Sequence, residues 1–145
     1  MIPPFDKRGN LPPGIHKADW DELETRFTDP RRVELLMGLR EALVALRDAG
    51  CRTAYIDGSF VTAKEGPGDF DACWEAVGVD ASLLDPVLLD LVPPRTAQKE
   101  RFGGELFPAS FVAEPESGAR FFDFFQHDRD GEPKGIIQID LEGLE

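Results

Sequence analysis

The chain has 145 residues, 41% of them hydrophobic, and its 28 acidic residues against 16 basic ones give a formal net charge of −12. This length suffices for one domain whose core needs neither disulfides nor structural metals. The negative charge argues against broad electrostatic binding to DNA, RNA or anionic membranes, and it suits a basic protein partner.

The first elements in chain order are an extended segment and a short helix. Repeated proline and glycine exclude a helix over residues 1–16, which we expect to lie extended on a single domain spanning residues 1–145. Residues 17–27 then predict a short helix with Asp19 as its N-cap.

The clearest helix begins at Asp29-Pro30, a capping residue followed by proline in the first turn, and ends at Gly50. Its apolar residues recur at spacings of three and four, which is typical of a helix packed against a core. The predicted core-facing stripe consists of Val33, Leu36, Leu39, Leu43 and Leu46.

The next stretch, residues 52–77, predicts two short strands. The first runs through residues 53–56 and stops at the turn signal Asp57-Gly58. Residues 59–64 predict a turn or two of helix, and after Gly66-Pro67-Gly68 a second strand begins at Asp69. Because strand side chains alternate, Asp69 and Asp71 are expected to point to one face.

This pattern has a chemical interpretation and a structural one. Free N–H groups at the Gly58-Ser59 turn suit a phosphate, and Asp69 with Asp71 suits a Mg²⁺ ion that carries a nucleoside triphosphate. Alternatively, Asp57-Gly58-Ser59 is only a turn and the two aspartates only begin a solvated strand in an acidic chain.

Residues 80–91 predict one or two short helices that stop at Pro93-Pro94, and the densest basic cluster follows. If residues 95–101 are helical, Arg95 and Lys99 share a face and are available to a triphosphate or an acceptor. The alternative is a solvated face on which these two residues pair with Glu100 or Glu105.

The last part of the chain predicts a β-hairpin. Residues 118–126 form its first strand, Asp130-Gly131 marks the turn, and residues 135–141 return as the last strand. Helices separate the early strands and a hairpin ends the chain, so the predicted class is α+β, a small mixed sheet with flanking helices.

Gly58-Ser59, nine further residues and then Asp69-Phe70-Asp71 resemble the signature of the polymerase β-type nucleotidyltransferase superfamily. The closest comparison is with the minimal bacterial nucleotidyltransferases that act as antitoxins. More narrowly, the opening MIPPFDKRGNLPPGIH, the core DGSFVTAK and the ending KGIIQIDL resemble small bacterial nucleotidyltransferase-like proteins that are otherwise uncharacterised.

The resemblance implies a Mg²⁺-dependent transfer of a nucleotidyl group from a triphosphate, with ATP the first expectation, to a hydroxyl of a protein or RNA. It also implies a third carboxylate from a later strand, and Asp123 is the candidate because an aspartate among four phenylalanines is costly to bury without a cation. Asp69, Asp71 and Asp123 are thus the expected metal ligands and catalytic residues. Gly58, Ser59, Lys64, Arg95 and Lys99 are the expected nucleotide-binding residues.

One position departs from the minimal nucleotidyltransferases, in which an arginine usually stands four residues after the motif glycine. Here that position is Thr62, and Lys64 is the replacement cation we expect. The alternative function is therefore a catalytically inactive protein of the same fold that sequesters a basic protein partner such as a toxin.

The remaining expectations concern location. No apolar run approaches the roughly 18 residues of a membrane span, and the first residues lack the features of a signal peptide. Cys51 and Cys73 have no metal-binding spacing, so we expect reduced thiols and a cytoplasmic protein without membrane contact.

Overall fold

A five-stranded mixed sheet forms the centre of the computed structural model, which describes residues 1–144. Its strands in chain order are β1 (Gly14–Ala18), β2 (Thr53–Asp57), β3 (Phe70–Trp74), β4 (Gly104–Pro108) and, nearest the C-terminus, β7 (Gly135–Asp140). Their spatial order is β1-β7-β2-β3-β4. Strand β2 is antiparallel to both of its neighbours, whereas β1 with β7 and β3 with β4 are parallel pairs.

Two further strands, β5 (Val112–Glu114) and β6 (Ala119–Arg120), form a separate antiparallel pair. The α-helices are α1 (Trp20–Arg26), α2 (Pro30–Asp48), α3 (Thr96–Phe102) and the single turn α4 (Phe121–Phe124). Short 3₁₀ turns lie at Ser59–Val61, Ala81–Leu83, Pro86–Leu89 and Leu141–Gly143. This arrangement confirms the predicted α+β class.

Helix α2 covers one face of the sheet and contributes six buried apolar residues to the main core. Asp29 caps it by accepting from the backbone N–H of Arg32 at 3.2 Å, and Pro30 occupies the first turn, as the sequence predicts. Val33, by contrast, was wrongly assigned to the core-facing stripe, because it is 46% exposed. The buried residues of the helix are Arg32, Leu35, Leu36, Leu39, Ala42, Leu43 and Leu46.

The opposite face of the sheet carries a second, aromatic core. Tyr55 and Phe107 point from β2 and β4 onto this face, and α4 packs over them. The Phe107 and Phe121 rings stack with their centroids 4.0 Å apart, and Phe122 meets Tyr55 edge-on at 4.8 Å. This aromatic packing holds α4 against the end of the sheet where the candidate site lies.

The predicted strand over residues 118–126 was wrong. Only residues 119–120 are extended, and the phenylalanines that follow form α4 because they wrap over the aromatic core instead of adding a strand to a sheet. Strand β7 consequently does not form a hairpin with this segment but lies between β1 and β2.

The N-terminal residues before β1 have no regular secondary structure, yet they are attached to the domain. Ile2 and Leu11 are buried, and the backbone N–H of Ala63 donates to the Gly9 carbonyl at 2.8 Å. Among residues 1–144, no helix combines the length and the apolar character needed to cross a bilayer.

Candidate functional site

A cavity of about 1150 Å³ opens at the end of the sheet where β2 finishes and β3 begins. Its walls come from five parts of the chain: the N-terminal segment, the turn after β2, the segment leading into β3, the β5–β6 pair, and the α4 turn with the loop that follows it. The lining residues that bear on its chemistry are Asp57, Gly58, Ser59, Thr62, Lys64, Asp69, Asp71, Asp123, Phe124, Arg129 and Lys134.

Three carboxylates form a row across adjacent strands at this end of the sheet. Asp57 in β2 is the register partner of Asp71 in β3, and Asp71 is in turn the partner of Glu105 in β4. Side chains at paired positions of neighbouring strands lie on the same face and are close together. The row therefore places Asp71 between two other acidic residues.

The two outer carboxylates of the row have cationic partners. Lys134 donates from Nζ to Asp57 Oδ1 at 2.6 Å, and both side chains are largely buried. On the other side Glu105 pairs with Arg95 through the guanidinium Nε and with Lys99, whose Nζ lies 3.5 Å from Glu105 Oε1. Within residues 1–144, no such partner or hydrogen bond reaches the Asp71 carboxylate in the centre.

The pKa values of the acidic groups follow from this arrangement. Burial, followed by repulsion from Asp57, Asp69 and Glu105, raises the pKa of Asp71 to about 7. The pKa of Asp69 is also raised, mainly by burial and then by the charge on Glu105. Burial raises the pKa of Asp57 as well, although Lys134 opposes that effect. A cation that reached Asp69 and Asp71 would relieve both the desolvation and the repulsion.

The backbone conformation of Gly58 allows the turn after β2 to lie close to Asp71. Its φ of +85° and ψ of −175° lie in a region that only glycine adopts readily. A Cβ atom at this position would lie 3.0 Å from Asp71 Oδ2 and 3.1 Å from the Asp71 backbone nitrogen. Glycine thus lets the turn after β2 approach the central carboxylate closely.

In a comparison with protein-family models, residues 3–140 match the model of DUF6932, a family of unknown function. The chain belongs to this family. Searches of the curated proteins and of the solved structures gave no match. The description of DUF6932 assigns no activity to its members, so the nucleotidyltransferase interpretation is carried forward only as a proposal.

The structure of this DUF6932 chain brings six of the predicted site residues to one cavity. Three come from the signature turn and the segment after it, and three are the predicted acidic residues. They are Gly58, Ser59, Lys64, Asp69, Asp71 and Asp123. The other two predicted cations, Arg95 and Lys99, contact Glu105 and are not among the residues that line the cavity, an arrangement that matches the ion-pair alternative.

Asp123 reaches the cavity by a different route from the predicted one. It lies in α4 and not in a strand, and its side chain is exposed instead of buried among the phenylalanines. Among residues 1–144, no set of three acidic, histidine or cysteine side chains is placed to share one metal ion. Asp123 therefore lies at the same cavity as Asp69 and Asp71 but does not complete a metal-binding cage with them.

Sequence reasoning missed Asp57, Lys134 and Arg129 as site residues, and it named Glu105 only as a partner of Arg95 and Lys99. Asp57 was interpreted only as a turn residue, whereas it is 4% exposed and paired with Lys134. The available signal was the alternation in β2, which places Asp57 on the same face as Tyr55. The pairing of β3 with β2 and β4 is not encoded in any local spacing, so the row itself had no sequence signal.

Proposed function

We propose that this protein binds a nucleoside triphosphate together with Mg²⁺ at Asp69 and Asp71 and transfers a nucleotidyl group to a hydroxyl of a protein or RNA. The observation that carries this proposal is the central carboxylate of the row. Asp71 faces the cavity beside Asp69 without a cationic partner among residues 1–144, whereas Asp57 and Glu105 on either side are both neutralised.

The two aspartates fit what Mg²⁺ requires of a protein. Mg²⁺ usually keeps several waters and binds through one or two carboxylates plus substrate phosphates, not through a dedicated protein cage. Two carboxylates without a third member are compatible with such a site. When bound, the ion would supply charge neutralisation and Lewis-acid polarisation of the phosphates.

The phosphates of the triphosphate require donors and cations along the cavity wall. Gly58 and Ser59 form the turn beside Asp71, and Lys64 follows on the same wall. Lys64 and Arg129 line the cavity and form no ion pair within residues 1–144, so their charges are available to a ligand. We assign them to the phosphates in place of Arg95 and Lys99, which Glu105 neutralises.

We assign Asp123 as the general base of the transfer step. The acceptor hydroxyl oxygen attacks the α-phosphorus, its proton passes to the Asp123 carboxylate, and the bond to the leaving pyrophosphate breaks. As in other phosphate-transfer sites, positioning and charge neutralisation supply most of the rate. ATP is the first triphosphate to test.

A second candidate is a catalytically inactive protein that keeps the nucleotide pocket and holds a basic partner, such as the toxin of a toxin–antitoxin pair. Two observations favour it: Asp123 is exposed and outside any shared metal group, and Thr62 stands where an arginine is usual. The Thr62 hydroxyl donates to the Ser59 carbonyl at 2.7 Å and so supports the turn without supplying charge. A net charge of −12 suits a basic partner, and we propose the cytoplasm as the location of both functions.

Titration calorimetry with ATP, GTP, CTP and UTP, each with and without Mg²⁺, tests binding. We expect Mg²⁺-dependent binding in the wild type, loss of binding in Asp69→Asn/Asp71→Asn, and unchanged binding in Asp21→Asn, which alters an exposed carboxylate of α1. Absence of binding to all four triphosphates would refute the proposal.

Transfer is tested separately, with a triphosphate labelled at the α-phosphate. Incorporation of label into cell extract, lost in Asp123→Asn while binding is kept, supports the enzyme. Binding without any incorporation supports the inactive alternative.

A further inference from the structure

Two consecutive arginines at the start of α2, Arg31 and Arg32, donate hydrogen bonds to backbone carbonyls of two segments that line the candidate site. Arg32 is 6% exposed and extends under the segment that follows β2. Its Nε donates to the Phe60 carbonyl at 2.8 Å, and its Nη2 is within 3.0 Å of the carbonyls of Ser59, Thr62 and Lys64. One guanidinium thus holds four carbonyls of the wall that carries Ser59 and Lys64.

Arg31 contacts the second of these segments, the one that leads into β3. Its Nε donates to the Pro67 carbonyl at 2.9 Å, and its Nη2 donates to the Gly68 carbonyl. Gly68 immediately precedes Asp69, so these contacts fix the segment from which the Asp69 carboxylate enters the cavity. The Gly66-Pro67-Gly68 stretch has no regular secondary structure of its own to hold it.

The contacts of Arg32 also have an electrostatic effect on the turn. A carbonyl oxygen facing a bound phosphate would repel it, whereas here four carbonyl oxygens of one short segment face the guanidinium. Because C=O and N–H point in opposite directions across a trans peptide plane, the Phe60 N–H, which shares a plane with the Ser59 carbonyl, points away from Arg32. Arg32 therefore orients the dipoles of this wall in addition to fixing its shape.

We propose that Arg31 and Arg32 are positioning residues that preorganise the two walls of the site for a triphosphate and its metal ion. Arg32 fixes the Ser59–Lys64 wall, and Arg31 fixes the segment that delivers Asp69. This inference rests on the proposed function for the identity of the ligand, but the positioning itself is measurable in the free protein. Neither residue lines the cavity, so both act mainly through the backbone they hold.

Hydrogen exchange of the free protein, followed by mass spectrometry, tests the positioning in the variants Arg31→Gln and Arg32→Lys. The matched control is Arg26→Gln, because Arg26 also donates to backbone carbonyls, those of Ile2 at 3.2 Å and Pro3 at 2.8 Å, but outside the cavity lining. Arg31 is partly exposed, so its variant keeps the fold even if the buried Arg32 does not tolerate lysine.

We expect Arg31→Gln to speed exchange at the Phe70 amide, which donates to the Gly103 carbonyl at 3.3 Å directly after the segment that Arg31 holds. We expect Arg32→Lys to speed exchange at residues 59–64 and Arg26→Gln to leave both segments unchanged. In calorimetry, Mg²⁺–ATP affinity should fall about 10- to 100-fold in Arg31→Gln and Arg32→Lys, as for other residues that orient metal ligands, and stay unchanged in Arg26→Gln.

Unchanged exchange in Arg31→Gln, or unchanged affinity despite faster exchange, would overturn the inference. If the wild type binds no triphosphate, the proposed function fails, and the exchange data alone decide whether the arginines fix these segments.

Discussion

Replacing Asp71 with asparagine is expected to stabilise the fold at pH 8, although the same change removes a proposed metal ligand. The pKa of Asp71 rises from its ordinary 3.8 to about 7, so between these values the folded chain binds more protons than the unfolded chain. The free energy of unfolding therefore falls as pH rises through this window. At about 1.36 kcal/mol per pKa unit, the ionised carboxylate costs about 4 kcal/mol above pH 7.

Asparagine has nearly the shape of the protonated acid and carries no charge, so Asp71→Asn should recover about 4 kcal/mol at pH 8 and less than half of that at pH 5. Urea denaturation at both pH values, followed by circular dichroism, measures the difference. The matched control is Asp123→Asn at the same cavity, whose exposed side chain should change stability by no more than about 0.5 kcal/mol at either pH.

An Asp71→Asn variant that is no more stable than the wild type at pH 8 would refute the reasoning, because the row would then have no uncompensated charge at its centre. A gain of equal size at pH 5 and pH 8 would also refute it, since it would assign the effect to packing and not to ionisation. The expected result makes Asp71 a residue kept at the expense of stability, as is common at functional sites.

Two further changes test the surroundings of Asp71 by urea denaturation. Lys134→Met removes the partner of the buried Asp57 and should lower the free energy of unfolding by about 3–5 kcal/mol. Most of this loss should be recovered in the double variant Lys134→Met/Asp57→Asn. A loss in the double variant as large as in the single one would contradict this expectation. Gly58→Ala should lower the free energy of unfolding by about 1–3 kcal/mol and weaken Mg²⁺–ATP binding. Gly68→Ala should keep its stability, because no atom lies near the added Cβ. Equal losses of stability in the two variants would argue against crowding by Asp71.

The parts of the fold that depend on neighbouring residues could be predicted from the sequence. Asp19 and Asp29 cap their helices by accepting from N–H groups three residues on, which is a local geometry that spacing encodes. The pair Asp69 and Asp71 reaches one cavity because alternation over three residues is equally local. The same holds for the glycine turn between β2 and β3.

The missed strands depend on distant partners. Residues 14–16 were expected to lie extended and residues 17–18 to begin a helix. The pairing of this segment with β7, in which Gly14 is the partner of Gly135, has no signal in the local sequence. Strand β4 begins one residue after α3 ends, and it contains Gly104 and Pro108, which are residue types that usually interrupt strands. Both strands lie at edges of the sheet, where glycine and proline are tolerated.

The error at Asp123 has a different cause. Four phenylalanines around an aspartate fit a buried strand, but short apolar runs do not distinguish a strand from a helical turn. What decides the conformation is the ring of Phe107, which lies on β4 and stacks on Phe121. The row of Asp57, Asp71 and Glu105 could not be predicted either, because it joins three strands and their register depends on tertiary contacts.

The position of β7 between β1 and β2 sets the order in which the molecule can assemble as it leaves the ribosome. Residues 14–18 are made early, yet their only partner in the sheet is made 121 positions later, as the pairing of Gly14 with Gly135 shows. Until residues 134–140 emerge, β1 has no neighbour, the edge of β2 is open, and Asp57 lacks Lys134. Nascent chains stalled before residue 134 would therefore lack the completed cavity, so the site can form only after residues 134–140 have been translated.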